Sequence, residues 1–148
     1  MPYKSASSTY KETKVKTAGQ GQLIVMLYDE AVKQLSKAAE LLDINNKDKK
    51  DPGRIEQISK AIMKTEEILT ELTISLDFEQ GGEIAKNLFS LYTWFNRELV
   101  EANINQDAGR MKTVRDMLTE LRNSWNSVAS QSPKEQFNRE AVGLNIAG

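Results

Sequence analysis

The sequence contains neither cysteine nor histidine among its 148 residues. Without cysteine it has no disulfide, no thiolate nucleophile and no cysteine-ligated metal. Without histidine it lacks the commonest general base and the commonest side-chain ligand of transition metals. We therefore expect a protein that is not an enzyme and that uses no metal and no cofactor.

Excess charge of one sign and long apolar runs are also missing. Twenty Lys and Arg residues meet 21 Asp and Glu residues, for a formal net charge of -1, so no positive excess is available to neutralise a phosphate backbone. No apolar run approaches the ~20 residues that span a bilayer, and the N-terminus lacks the apolar core of a signal peptide. We expect a cytoplasmic protein that binds no nucleic acid and does not insert into a membrane.

What the sequence does contain is a repeat of apolar residues at spacings of three and four, which is typical of packed helices. Four such stretches follow one another, separated by a polar run that ends at Pro52-Gly53, by Gly81-Gly82, and by a short turn over 103–109. Connections this short make sequential helices antiparallel. The predicted fold is all-α, an antiparallel up-down-up-down four-helix bundle over residues 19–130.

The two ends of the chain have a different composition from the bundle. Residues 1–18 are rich in Ser, Thr and Lys, and we expect a mobile N-terminal arm, with Thr17 as the N-cap of the first helix. Residues 131–148 turn polar, and Pro133 is expected to stop the fourth helix. This segment is predicted to be a flexible C-terminal tail.

The apolar face is wider on two helices than a bundle helix needs. Counting about 100° per residue, the third helix is apolar over about 240° and the first over about 200°, against roughly 120° to 140° for the other two. Some of this surface should therefore form an outward groove or patch. On the pattern alone, a groove for a partner, a homodimer interface and an arm folded over the patch all account for it.

Two local patterns have weaker claims to chemistry. Carboxylate pairs such as Glu66-Glu67 would suit acid/base work or metal binding, but adjacent helical residues point in different directions and usually form a solvated face. Gly81-Gly82-Glu83 has neither the lysine spacing of a phosphate-binding loop nor a strand before it, so a turn between helices is favoured.

Several short motifs, in order along the chain, resemble the family of the flagellar secretion chaperone FliS. They are Leu23-Ile24-Val25-Met26-Leu27-Tyr28-Asp29, Ser75-Leu76-Asp77 followed by Gly81-Gly82-Glu83, Asn87-Leu88 with Leu91-Tyr92, Glu101-Ala102-Asn103 with Asp107, and Leu121-Arg122 before Trp125. The resemblance runs from about Tyr10 to Trp125. The chain departs from the usual family pattern at Thr17-Ala18-Gly19-Gln20, where a proline is common, and at Glu30, where a glycine is common.

The resemblance implies a cytoplasmic export chaperone. Such a protein binds the disordered C-terminal segment of flagellin, prevents premature polymerisation and delivers the subunit to the flagellar type III export apparatus. Export gate components and a co-chaperone or regulator are further expected partners.

The expected flagellin-binding groove lies between the second and third helices. Its residues are Ile58, Ile62, Ala85, Leu88, Phe89, Tyr92, Leu99 and Asn103. The N-terminal segment around Tyr10 and Val15 is expected to act as a lid over the hydrophobic surface when no flagellin is bound. From this placement, replacing Tyr92 and Phe89 by Asp should abolish client binding and leave the helical content intact. The alternative function is a homo-oligomeric helical structural or adaptor protein.

Overall fold

The computed structural model describes the backbone of residues 6–130 and the side chains from residue 21 onward. This range forms four helices, and the predicted all-α fold is confirmed. They are α1 (Ala6–Lys47), α2 (Pro52–Ile74), α3 (Phe78–Asn105) and α4 (Ala108–Ala129).

Aspartate residues start each of the last three helices. Asp51 precedes Pro52 and accepts the Gly53 amide at 2.8 Å, and Pro suits the first position of a helix because its missing N–H would be unpaired there. Asp77 accepts the amides of the second and third residues of α3, each at 3.0 Å. Asp107 accepts the Arg110 amide at 3.1 Å. Each carboxylate satisfies donors that the first helical turn leaves free.

These caps move two of the predicted turns. We expected Gly81-Gly82 to end the second helix, which is wrong: α2 ends at Ile74, and the glycine pair lies inside α3. The Asp77 cap starts α3 before the glycines, and Gly82 then makes a kink at φ 49° and ψ -125°, a conformation that residues with a Cβ avoid.

The turn between α3 and α4 is also shorter than the predicted 103–109. The third helix continues to Asn105, and Gln106 takes a left-handed conformation with φ 52°. The Asp107 amide then donates to the Ala102 carbonyl at 2.9 Å, which closes the end of α3 just before α4 begins.

The first helix is longer than predicted. It begins at Ala6, so the predicted helix start at Thr17 is wrong, and the backbone of the segment that we expected to form a separate arm is helical and continuous with α1. The mobility of that segment stays a prediction. The predicted tail over 131–148 lies outside the described residues.

Side-chain contacts establish that neighbouring helices are antiparallel. Near the end of α1, Asn45 accepts from Arg54 near the start of α2 at 2.6 Å. Along α1 and α4, Asp43 pairs with Lys112 and Asp29 with Arg122, both at 2.7 Å, so the numbering runs in opposite directions. The up-down-up-down arrangement follows.

The core lies between all four helices, but the helices do not share it equally. The first helix packs closely along both α2 and α4, whereas α3 approaches its two neighbours at fewer points. Two tyrosines join α1 and α3 across the core, since the hydroxyls of Tyr28 and Tyr92 are hydrogen-bonded and both residues are fully buried. Trp125 of α4 packs partly buried against the same core. The looser position of α3 leaves Phe89 and Val100 partly exposed.

Candidate functional site

Six of the eight residues predicted to line the groove lie in the hydrophobic core. They are Ile58, Ile62, Ala85, Leu88, Tyr92 and Leu99. Their relative exposure is 8 % or less, so in the structure they offer little or no surface to a partner. The predicted role of these six as direct client contacts is not tested by the structure, and it would require α2 and α3 to separate.

Tyr92 illustrates the difference between a core residue and a surface contact. Its burial raises the pKa of the phenol to about 12, although the hydrogen bond from Tyr28 lowers it. Burial also raises the pKa of Tyr28 well above its usual value, with Tyr92 adding to the effect. Both hydroxyls therefore stay protonated at neutral pH, and the pair serves as a neutral polar link inside the bundle.

The other two predicted residues do reach the surface. Phe89 is 45 % exposed, and its ring meets that of Phe78 edge-on, with 6.0 Å between centroids and 70° between planes. Such a geometry is favourable for two aromatic rings. Asn103 is half-buried, and its Oδ1 accepts a hydrogen bond from the Ser59 hydroxyl at 3.3 Å.

The contact between Ser59 and Asn103 fixes how α2 and α3 face each other. The two helices are antiparallel, so residues that follow Ser59 in α2 face residues that precede Asn103 in α3. Positions three, four and seven apart share a helix face. The facing residues are Ser59, Met63, Glu66, Thr70 and Thr73 of α2, and Asn103, Val100, Asn96, Thr93 and Phe89 of α3. We call this set the α2–α3 seam.

Exposed apolar side chains lie along the seam. Met63 is 59 % exposed and Val100 is 45 % exposed, and both lie one turn or less from the contact between Ser59 and Asn103. Phe89 lies toward the other end of the seam, and its contact with Phe78 extends the apolar surface there. Ile104, one turn beyond Val100, is also exposed. From Phe89 to Ile104 the α3 side of the seam is about 22 Å long.

Sequence reasoning found part of this surface and missed part. Phe89 was predicted as a groove residue, and Val100 belongs to the wide apolar arc of α3, but Met63 and Phe78 were not singled out. The available signal for Met63 is that a large apolar side chain falls outside the row of apolar residues that α2 turns to the core. No pattern in the sequence identifies Ser59 as a residue that faces α3.

A polar position interrupts the apolar seam near its middle. Glu66 lies seven residues after Ser59 on α2, and Asn96 lies seven residues before Asn103 on α3, so each shares a helix face with one member of that contact. Partial burial raises the pKa of the Glu66 carboxyl above its ordinary value of 4.5, and loss of solvation is the sole cause. The Asn96 Oδ1 is buried and accepts no hydrogen bond within the part of the chain that the structure describes.

The N-terminal residues predicted as a lid cannot be placed at the seam. The backbone at Tyr10 and Val15 belongs to α1, while their side chains lie outside the described part. The lid role of this segment stays a prediction.

Among the described residues, no group of three or more acidic side chains is arranged to hold a metal ion. No helix in the same range combines the length and apolar character needed to cross a membrane.

Sequence comparison with known proteins finds relatives that match most of the chain. The sequence model of the family described as flagellar protein FliS matches residues 3–132. The flagellar secretion chaperone FliS of Salmonella typhimurium is 35 % identical over 127 residues, which cover 85 % of this chain and 86 % of the relative. That of Escherichia coli is 32 % identical over 114 residues, covering 77 % and 79 %. That of Bacillus subtilis is 25 % identical over 136 residues, covering 92 % and 95 %.

Proposed function

The chain belongs to the FliS family of flagellar proteins, and from this membership we propose that it is a cytoplasmic export chaperone whose client is flagellin. It binds the disordered C-terminal segment of flagellin, prevents premature polymerisation and delivers the subunit to the flagellar type III export apparatus. Relatives that carry the name flagellar secretion chaperone support the export role. Export gate components and a co-chaperone or regulator complete the proposed partners.

The observation that carries the proposal is the exposed apolar part of the α2–α3 seam. Phe89 and Val100 are each 45 % exposed although they lie on a helix whose other face fills the core. A row of exposed apolar side chains on one helix face, here with Thr93 and Asn96 between them, offers contacts to another chain. A disordered client gains apolar contacts on such a row without requiring a closed pocket.

The seam by itself is too small for the whole client. Fixing about 40 disordered residues costs on the order of 40 to 80 kcal/mol of backbone entropy. At about 25 cal/mol per Å² of apolar surface, recovering this requires burial of a few thousand Å². The proposed complex therefore has the client wrapped around several helices, with the seam as one of its contacts.

Calorimetric titration with the C-terminal segment of the flagellin from the same organism tests the proposal. We expect binding by the unchanged chain and at least a tenfold loss of affinity in Val100→Asp, because the new charge would lose its water on binding. Ile84→Asp is the matched control, since Ile84 is also 45 % exposed on α3 but lies about 140° around the helix from Phe89. We expect it to bind within about twofold of the unchanged chain.

Two results would argue against the proposal. Absence of binding by the unchanged chain, in both calorimetry and gel filtration, would refute flagellin as the client. Equal losses in Val100→Asp and Ile84→Asp would refute the seam as the contact surface. The alternative function, a homo-oligomeric structural or adaptor protein, uses the same apolar row for self-association. It predicts an assembly that persists on dilution in sedimentation experiments and that does not respond to flagellin.

A further inference from the structure

The contact between Phe78 and Phe89 cannot form on a straight helix. The two residues are eleven positions apart in α3, and at 1.5 Å per residue a straight helix would separate them by about 16.5 Å along its axis. The centroids of their rings are only 6.0 Å apart. Side chains of one helix lean in the same direction along it, so rotamers alone do not close this gap. The backbone between the two residues must therefore bend.

The bend lies at Gly82. Its φ of 49° and ψ of -125° are the non-helical angles inside α3, and they are close to the mirror image of an extended turn conformation that L-residues adopt readily. A residue with a Cβ is strained at such angles. A Cβ added at Gly82 would nevertheless meet no atom within 4 Å in the described part of the chain. The backbone conformation, and not a lack of space, is what favours glycine here.

Contacts on both sides of Gly82 hold the bend in place. Leu76, just before α3, is 8 % exposed, and Ala85, three residues after Gly82, is fully buried. Between these two core residues, the Asp77 carboxylate accepts two amides and fixes the start of α3. The first turn of α3 is therefore held at both ends, and Phe78 at its start is carried toward Phe89.

The two rings stay available to a partner although they touch each other. Phe78 is 48 % exposed and Phe89 is 45 % exposed, and the angle of 70° between the ring planes leaves an open corner between them. Phe89 shares a helix face with Val100, eleven residues later. The ring pair thus continues the apolar row of the α2–α3 seam at the end near the α2–α3 turn. An apolar side chain suits the corner, because a charged one would lose its water there without a partner.

We propose that Gly82 positions part of the client-binding surface. Its backbone conformation places Phe78 against Phe89, and the two rings together receive an apolar side chain of the flagellin C-terminal segment. This inference rests on the proposed function, because it assigns a contact within the same binding surface. Gly82 acts only through the position of Phe78.

Nuclear magnetic resonance of the free chain tests the placement without any client. We expect a nuclear Overhauser effect between the ring protons of Phe78 and Phe89, and we expect Gly82→Ala to lose it. Gly109→Ala is the matched control, because it adds the same methyl group to a helical glycine without a positive φ, and it should retain the effect. Replacement of Gly82 by D-alanine should also retain it, since the mirror-image residue favours the observed angles.

Titration with the flagellin C-terminal segment tests the consequence for binding. Phe78→Ala and Gly82→Ala should each weaken binding at least fivefold, while Gly109→Ala and the D-alanine variant should bind within about twofold of the unchanged chain. The decisive protein combines Gly82→Ala with Phe78→Ala. Its affinity should equal that of Phe78→Ala within about twofold, because a residue that acts only through Phe78 has no effect once the ring is gone. A general structural role of Gly82 predicts additive losses.

The client side of the contact is identified with the same peptide. Each apolar residue of the segment is changed to Ala in turn, and each variant is titrated against the unchanged chain and against Phe78→Ala. One apolar residue should lose at least fivefold in affinity with the unchanged chain and less than twofold with Phe78→Ala, because partners in contact couple in this way.

Each contrary outcome overturns a defined claim. A nuclear Overhauser effect of unchanged intensity in Gly82→Ala, or its loss in the D-alanine variant, refutes Gly82 as the positioning residue. Unchanged affinity in Phe78→Ala, or the absence of a coupled client residue, refutes the ring pair as a contact while flagellin binding stands. Where circular dichroism shows that Gly82→Ala has lost its helical content, Phe78→Ala and the D-alanine variant decide both points. Absence of binding by the unchanged chain refutes the proposed function and the client contact together, and the resonance experiment still decides the role of Gly82.

Discussion

The first and third helices differ in what becomes of their wide apolar faces. Some of their combined apolar surface was expected to face outward, and α1 buries most of its share. Its flanking residues Val25 and Leu27 are buried, and Leu41 packs partly buried against the core. On α3, Phe89 and Val100 stay nearly half exposed.

The cause is the spacing of the helices and not the width of the apolar face. The first helix has α2 and α4 packed closely along both sides, so the residues that flank its core line are covered. The third helix approaches the same two neighbours less closely, so its flank remains open. A wide apolar face therefore indicates that a helix contacts apolar surface on more than one side. The positions of the neighbouring helices decide whether those contacts lie inside the bundle.

The largest expected effect is the difference in stability cost between a substitution on the buried side of α3 and one on its exposed side. Tyr92→Asp should abolish cooperative folding, at a cost of more than about 4 kcal/mol, because it places an unpaired charge in the core and leaves Tyr28 without its partner. Phe89→Asp should lower the free energy of unfolding by less than about 1 kcal/mol, since the side chain already lies in water over much of its surface. Urea denaturation followed by circular dichroism measures both.

This expectation corrects the one made from the sequence for Tyr92. Both substitutions were expected to spare the helical content, whereas burial of Tyr92 restricts that expectation to Phe89. A stable, fully helical Tyr92→Asp would contradict the burial on which the description of α3 depends.

A smaller effect compares the apolar residues of the two helices directly. Leu35→Ala in α1 should lower the free energy of unfolding by about 2–5 kcal/mol, because Leu35 is fully buried and the smaller residue leaves a cavity. Val100→Ala in α3 should change it by no more than about 0.5 kcal/mol. Similar costs in urea denaturation would show that the α3 flank is covered in solution, by the N-terminal segment or by a second copy.

The smallest effect concerns Glu66 on the α2 side of the seam and depends on pH. Burial raises the folded-state pKa of Glu66 above 4.5, so the folded chain holds this proton more tightly than the unfolded chain. Below the unfolded pKa the carboxyl is neutral in both states, and stability relative to Glu66→Gln then falls as pH rises through the folded pKa. We expect Glu66→Gln to be the more stable protein at pH 7, with the difference shrinking toward pH 4.

Denaturation of Glu66→Gln, Glu67→Gln and the unchanged chain at several pH values measures this difference. Glu67→Gln should show no comparable gain at pH 7. A destabilised Glu66→Gln would mean that the carboxylate has a partner in the free chain, and it would remove the unsatisfied charge from the description of the seam.

Much of the fold could be predicted from the sequence because helix periodicity and helix-breaking residues are local properties. The four helices, their antiparallel order and the start of α2 at Pro52 follow from spacing and from polar, Pro-containing runs. The role of Gly81-Gly82 could not be predicted in the same way. Two glycines fit a helix end and a helix kink equally well, and the Asp77 cap decides between them.

The candidate binding surface was less predictable, for a physical reason. The angular position of a residue around its helix shows whether the residue is buried only when the direction of each neighbouring helix is known. The eight predicted groove residues were chosen without that information. Six belong to the core, while Met63, four residues after Ser59, was left out. A single contact between Ser59 and Asn103 provides the missing direction.

The sequence by itself determined that this chain is a bundle of helices without histidine or cysteine chemistry, since composition and period are written along the chain. The tertiary structure decided which apolar residues fill the core, which remain on the seam, and that Ser59 contacts Asn103. Those properties depend on how closely separate helices approach and in what register. Distances between segments far apart in the chain arise only when the whole core packs.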